Sequence, residues 1–300
     1  MQPFFSIVIP SYNRLNFLKK TLKTVFNQTF NNFEVIVVDD GSTDQTFEKL
    51  PFMFPGESRM RIIRQENQER GAARNTGIKN ATGVYVNFID SDDELKPDHL
   101  QILFSEIQKQ NHPDFITTKF SIIRNGIIKS ADNKKLKEGW YDYRLFLEGN
   151  PLACIICVRR ENPGLCLFEE NRKYAIKEDW MFLIENMSKN KLRIIDQITV
   201  FINDHNERSM RTDNQEIIKK TKLAHAWILA KIKLSSGESK NLSAHVDYFC
   251  AIHSYIDDFR KDSFKYLFNA ISKSGMKKRF IVLMIKLLLG RKIITLFKYS

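Results

Sequence analysis

Two observations predict an α/β fold built on a mostly parallel sheet. Over residues 1–110, short β-branched runs alternate with stretches whose apolar residues recur at helical spacing, and such alternation packs helices onto the faces of a parallel sheet. The polar clusters Ser11–Arg14, Asp39–Ser42 and Asp90–Asp93 follow the apolar runs, at the carboxyl ends of strands, where such sheets bind ligands.

The elements follow in order. Phe5 to Pro10 (FSIVIP) reads as a buried strand. Leu15, Leu18, Leu22, Val25 and Phe26 then recur as one helical face, and Phe33 to Val38 is a second strand. A helix is expected to start near Thr43, with Ser42, Thr43 and Asp44 as caps. Arg61 to Arg64 reads as a third strand, Gly71 to Asn80 as helix and Val84 to Ile89 as a fourth strand. Pro97 opens a further helix with the stripe Leu100, Leu103, Phe104 and Ile107. Beyond residue 111, Phe115 to Thr118 and Ser121 to Ile128 read as strands, with Asn125-Gly126 as a tight hairpin turn. Glu178 to Lys189 reads as helix, with Trp180, Leu183, Ile184 and Met187 on one face. From residue 213 the chain reads as helix throughout. The expected organisation is a domain over 1–212, in halves 1–110 and 111–212, and a helical, basic extension over 213–300.

Bulk properties narrow the class. With 300 residues, 43% of them apolar and 27% charged, the chain buries a core, which excludes disorder over most of its length. A net charge of +12 asks for an anionic partner: nucleic acid, a phosphorylated ligand or a membrane surface. The N-terminus has no basic n-region and meets Pro10 early, so no secretory signal is expected and a reducing, cytoplasmic setting is. Cys154 and Cys157 form a C-x-x-C without a second pair, which reads as small buried hydrophobes rather than a zinc site. The longest apolar run, Phe280 to Leu289, is broken by Lys286, whereas a spanning helix needs ~20 apolar residues.

Four segments carry chemistry. In V-Y-V-N-F-I-D-S-D-D, residues 84–93, an apolar strand ends in three carboxylates. In extended backbone Asp90 and Asp92 point to the same side, and like charges held that close call for a cation. Oxygen ligands suit Mg²⁺ or Mn²⁺, with a diphosphate completing the shell; a solvated acidic loop is the alternative. Asp39-Asp40 offers an acceptor for a ribose or a base N–H, or else a capping turn. In N-Q-E-R-G-A-A-R-N-T-G, residues 67–77, small residues permit close approach, and Arg70 and Arg74 share a helical face from which they can meet phosphate or base oxygens. A solvent-facing pair is the alternative there. Glu178-Asp179-Trp180 opens a helix, where carboxylates are favoured anyway, or where one serves as general base for a hydroxyl nucleophile.

Together and in this order, S-I-V-I-P-S-Y-N (6–13), V-V-D-D-G-S-T-D (37–44), N-x-x-x-G-A-A-R-N-T-G (67–77), A-T-G-V-Y-V-N-F-I-D-S-D-D (81–93) and E-D-W (178–180) make the chain resemble the family 2 glycosyltransferases of the GT-A fold over about residues 4–210. The resemblance implies an inverting transfer from a nucleotide-sugar, a UDP-sugar, to a hydroxyl of a glycan or lipid-linked acceptor in bacterial surface polysaccharide or glycoconjugate synthesis. It implies that Pro10, Tyr12 and Asp40 hold the base, that Asn13, Asn67, Arg70 and Arg74 line the donor site, and that Asp90-Ser91-Asp92 is the D-x-D motif. Asp92 would ligate Mn²⁺ or Mg²⁺, Asp90 would lie near the ribose or a metal-bound water, and Asp93 would contact the donor sugar. Asp179 would be the base, with Glu178 beside it. In N-D-H-N-E-R-S-M-R, residues 203–211, His205 would complete the metal site, and Arg208, Ser209 and Arg211 would touch diphosphate; an ordinary polar loop is the alternative.

Residues 271–300 hold eight Lys or Arg and no acid, with apolar residues between them. This reads as a basic amphipathic element for an anionic membrane surface, here the inner face of the cytoplasmic membrane, or as a helix packed on the domain with a solvated basic face. No nucleic-acid-binding motif accompanies it. A nucleotidyltransferase would want a glycine-rich loop after the first strand, where P-S-Y-N-R-L-N stands, and a dinucleotide dehydrogenase would want G-x-G-x-x-G. A catalytically impaired, transferase-like binding module would have lost the D-x-D or the base; both are present.

Overall fold

The computed structural model describes residues 2–205 and 213–296. They form two compact units, Met1–Tyr143 with Asn150–Asn206 and Arg144–Gly149 with Glu207–Ser300.

The first unit is built on a mixed sheet. Its strands are β1 (Phe5–Ser11), β2 (Phe33–Asp39), β3 (Met60–Arg64), β4 (Tyr85–Phe88), β5 (Glu94–Leu95), β6 (Phe115–Arg124), β7 (Ile127–Ser130), β8 (Gly139–Tyr141), β9 (Ile156–Arg159) and β10 (Leu192–Asn203). The order is β3-β2-β1-β4-β9-β6-β10-β5, with β7 on β6 and β8 on β10. The β3-β2-β1-β4 half is parallel, and β9 enters antiparallel between β4 and β6. The helices are α1 (Leu15–Phe26), α2 (Thr46–Met53), α3 (Glu69–Asn80), α4 (His99–Lys109) and α5 (Glu178–Met187).

Strand alternation assigns the two faces. Phe5, Ile7 and Ile9 of β1 pack in one core with Leu15, Leu18, Leu22 and Val25 of α1 and Leu100, Leu103 and Ile107 of α4. Val8 points the other way and meets α3, where a Cβ on Gly77 would lie 2.2 Å from Val8 Cγ1. The small residues of α3 thus bring its backbone onto the sheet. At the head of α4 His99 is buried, with Nδ1 2.6 Å from Thr199 Oγ1 and Nε2 3.1 Å from Asn87 Nδ2. Burial pushes its pKa down to about 3, so it is a neutral packing residue.

The structure adjusts several expected boundaries. Helix α2 starts at Thr46, not near Thr43; Ser42 Oγ and Asp44 Oδ2 accept from Asn13 N and Leu15 N and so tie two loops together, while Asp44 Oδ1 accepts from Thr46 N, the first N–H of the helix, at 3.1 Å. The expected strands at 115–118 and 121–128 are one ten-residue strand, β6, then the turn at Asn125-Gly126 and β7. Helix α4 begins at His99, two residues after Pro97. Cys154 and Cys157 are buried and free.

The second unit contains α6 (Asn214–Lys231), α7 (Ser236–Ile256), α8 (Arg260–Ser274) and α9 (Lys278–Leu296). Ser235 and Glu238 form a capping box at the start of α7. Ala251, Leu267, Ala270, Phe280, Leu283 and Leu287 make its core. The other side of α9 is apolar as well: Ile281, Val282, Ile285, Leu288 and Leu289 are all exposed. The expected basic amphipathic helix is therefore, over its described side chains, apolar on both sides with lysines interspersed.

Candidate active site

The parallel half of the sheet delivers three loops to one end. After β1, Asn13 sits at a left-handed φ of 52°, which asparagine tolerates. Its Oδ1 accepts from Thr43 N at 2.7 Å and its own N–H donates to Ser42 Oγ at 2.9 Å. Asn13 therefore joins the β1–α1 and β2–α2 loops. Pro10 is buried within β1, while Tyr12 is exposed beside this junction. After β2, Asp40 Oδ1 accepts from Gln65 Nε2 at 2.7 Å and from Gln68 N at 2.9 Å. Burial raises the Asp40 pKa despite these donors. Asn67 Oδ1 accepts from Arg172 Nη2 at 2.7 Å.

Helix α3 supplies the cations. Arg74 is almost wholly buried; its Nη2 lies 2.7 Å from Asp90 Oδ1 and its Nη1 3.1 Å from Glu178 Oε1. Its guanidinium also sits 5.3 Å from the Phe168 ring centroid, and Phe168 stacks on Phe182 at 3.9 Å. Arg70 Nε lies 3.3 Å from the same Glu178 oxygen. Arg74 is thus an internal bridge, and a solvent-facing pair is ruled out. Burial opposes its charge, but Cys154, Asp90 and Glu178 together raise its pKa.

The acidic cluster follows β4. Ligand oxygens of Asp90, Asp92 and Asp93 all lie within 4.8 Å of one another. The cluster is anchored through its backbone, since Thr21 Oγ1 donates to Ser91 O at 2.9 Å and Asn203 Nδ2 donates to Asp92 O at 2.7 Å. His205 Nε2 lies 2.8 Å from Asp92 Oδ2, and the His205 ring stacks on Phe17 at 4.2 Å. Three convergent carboxylates and an imidazole fit a divalent ion such as Mn²⁺ or Mg²⁺. A cavity of about 400 Å³ adjoins Asp92 and His205, lined also by Phe17, Lys20, Arg124 and Asn203.

The start of α5 brings in the last pair. Glu178 is buried; burial would raise its pKa, but Arg70 and Arg74 outweigh it and hold the carboxylate ionised. Asp179 behaves oppositely, raised by burial and by the Glu178 charge against the pull of Arg70 and Arg74. Neighbouring carboxylates whose environments push them apart are the pattern of divided acid–base roles. Asp179 Oδ1 accepts from Trp180 N at 2.7 Å, and Oδ2 accepts from Asn150 Nδ2 at 3.0 Å.

The backbone around this cluster is strained. Glu69 (φ 72°), Ala153 (φ 52°) and Ile176 (φ 70°) are left-handed, and for β-branched Ile176 that is a true outlier. Glu69 and Ala153 directly precede Arg70 and Cys154, and Ile176 lies two residues before Glu178; such strain persists where surrounding structure over-determines it.

Of the residues singled out in the sequence, Arg70, Arg74, Asp90 and Glu178 form one ion-paired cluster, with Asp179 next in the chain. Asp92, Asp93 and His205 gather at the acidic end. Asp40, Asn13, Tyr12 and Pro10 lie at the β1 and β2 ends, and Asn67 beside Arg172. Arg208, Ser209 and Arg211 lie outside the described residues. Asn150 and Phe17 drew no attention in the sequence, because each acts through a partner remote in the chain, and Cys154 reads there only as a small buried hydrophobe.

The fold and site define a glycosyltransferase of GT-A architecture. The chain belongs to glycosyl transferase family 2, whose family model matches residues 6–159. It is 33% identical over 195 residues to an uncharacterized glycosyltransferase of Rickettsia felis, covering 64% of this chain and 31% of that protein. It is 31% identical over 198 residues to one from Haemophilus influenzae, covering 64% of this chain and 75% of that protein. Chondroitin synthase of Escherichia coli matches at 37% over 156 residues, 52% of this chain and 22% of that protein. The matched stretch thus spans less than a third of the Rickettsia and Escherichia proteins. In fold, S. aureus TarS 1-349 in complex with UDP-GlcNAc aligns at a TM-score of 0.68 and 21% identity, covering 94% of this chain and 84% of that one. Among the described residues no helix is long and apolar enough to cross a membrane.

Proposed function

We propose that this chain transfers a sugar from a UDP-sugar to a hydroxyl of a glycan or lipid-linked acceptor, with inversion. One observation carries the reading: Arg74 ties Asp90 of the D-x-D to Glu178, whose neighbour Asp179 has a raised pKa. A donor-binding motif and a candidate base are thereby locked into one constellation. The complex of S. aureus TarS with UDP-GlcNAc, a protein of the same fold, supports UDP as the nucleotide. Residues 1–212 carry catalysis, and 213–300 form the extension.

Asp40, with Tyr12 and Pro10 beside it, takes the base, and Asn13 and Asn67 hold the surrounding loops. Asp92, Asp90 and His205 would hold Mn²⁺ or Mg²⁺. When bound, that ion offsets the charge growing on the departing diphosphate. Arg70 and Arg74 keep the site's carboxylates ionised, and Asp93 and Ser91 face the donor sugar. Asp179 removes the acceptor hydroxyl proton as that oxygen attacks C1 of the sugar, through an oxocarbenium-like transition state. Burial and the Glu178 charge raise the pKa of Asp179, which strengthens its carboxylate as a base.

On this reading the reaction takes place at the inner face of the cytoplasmic membrane. The apolar outer side of α9 and the acid-free, basic segment 271–300 support contact with anionic lipid. A thermal-shift panel of nucleotide sugars with Mn²⁺ tests the donor assignment. Stabilisation by UDP-sugars above other nucleotide sugars is expected; no response to any UDP-sugar would refute the reading.

A further inference from the structure

The loop that begins at Asn150 reaches the α5 N-terminus through one side chain. Asn150 Oδ1 accepts from Leu152 N at 2.9 Å, and Nδ2 donates to Ala153 O at 2.9 Å. A backbone N–H and a backbone carbonyl thus fix which end of the amide is which. The same Nδ2 must then point its second hydrogen at Asp179 Oδ2, 3.0 Å away. Ala153 holds its carbonyl in place from a left-handed backbone position, φ 52°. With Trp180 N donating to Oδ1 at 2.7 Å, each Asp179 oxygen is held by one donor among the described residues, and a carboxylate oxygen so held has lone-pair capacity for a substrate hydroxyl.

We infer that Asn150 is a positioning residue that fixes the orientation of the Asp179 carboxylate for proton removal. The inference rests on the reading of Asp179 as the base. A donor to a carboxylate favours its ionised form, so Asn150 also limits how far burial raises Asp179. The other groups facing Asp179 are Glu178 on its own helix, Arg70 and Arg74 on α3, and Cys154, with Asp90 beyond Arg74. All of them remain when Asn150 alone is changed.

The test compares pH–rate profiles for UDP release from UDP-GlcNAc in wild type, Asn150→Ala and Asn150→Asp, with melting temperature and UDP-GlcNAc KM measured alongside. Loss of the donor moves the acid limb up, by about one pH unit, with about a tenfold rate loss below it, and leaves a smaller, pH-independent loss of kcat above it, where the carboxylate is ionised but no longer oriented. Donor KM stays unchanged. Asn150→Asp keeps the shape and the acceptor for Leu152 N, so it serves where Asn150→Ala does not fold; its added carboxyl moves the limb the same way. An unmoved limb, whether rates are unchanged or fall equally at every pH, overturns the role of Asn150. Full activity in Asp179→Asn overturns the base assignment instead, which separates the two failures.

Discussion

Arg74 and Glu178, 104 residues apart, meet at 3.1 Å with both side chains out of water. Removing one partner of a buried pair leaves an uncompensated charge, at a cost of about 3–5 kcal/mol. Arg74→Met is therefore expected to lower the unfolding free energy by that order in denaturant titration. Arg74→Lys keeps a charge but loses the fork that reaches Asp90 and Glu178 together, so it should regain only part of the stability and little of the activity.

The same pair gives a pH dependence. The Glu178 pKa in the fold lies below the ordinary 4.5, because Arg70 and Arg74 outweigh burial. Its stabilising contribution is thus complete above 4.5 and lost as pH falls through the lower folded value. Melting temperatures measured from pH 7 downward should drop more steeply in wild type than in Glu178→Gln.

At the acidic end, Asp92→Ala and His205→Ala should each weaken Mn²⁺ binding by at least the ~10–100-fold typical of losing a supporting group at a metal site. Electron paramagnetic resonance titration of free Mn²⁺, with UDP present, measures this without turnover. In metal-free protein Asp92→Ala should not lower the melting temperature, because it relieves repulsion with Asp90 and Asp93. Wild-type Mn²⁺ affinity in both variants would contradict the assignment.

On the membrane reading, the exposed Ile285 and Leu288 of α9 enter the lipid interface. Burying one such side chain is worth roughly 1.5–3 kcal/mol. Ile285→Asp with Leu288→Asp should then abolish co-sedimentation with phosphatidylglycerol-containing vesicles. Raised salt should only weaken wild-type binding, since it screens charge and not apolar burial. Binding unaffected by the double change would exclude this face.

The parallel half of the sheet was legible in the sequence because its strands and helices announce themselves by period. The D-x-D strand, the Asp40 turn and the small-residue helix start were legible for the same reason: each is a local string at the end of a periodic element. What stayed hidden was long-range. Strand β10 interrupts its apolar run with Asp196 and Gln197 and takes its register from strands remote in the chain, β6, β5 and β8. Strand β9 is four residues between irregular loops. The Arg74 bridge, the Asn150 contact and the Phe17 platform under His205 join residues brought together only by the fold. Helix α9 misled differently, because its basic residues suggested a polar face where the described side chains are largely apolar.

Enzyme turnover bears most directly on the central claim. Release of UDP, with Mn²⁺, from whichever UDP-sugar stabilises the protein in the thermal-shift panel should be measurable in wild type. It should fall in Asp179→Asn by the ~10²–10⁴-fold typical of losing a general base, and at least as far in Asp92→Ala. Wild-type release by both variants would contradict the assigned site.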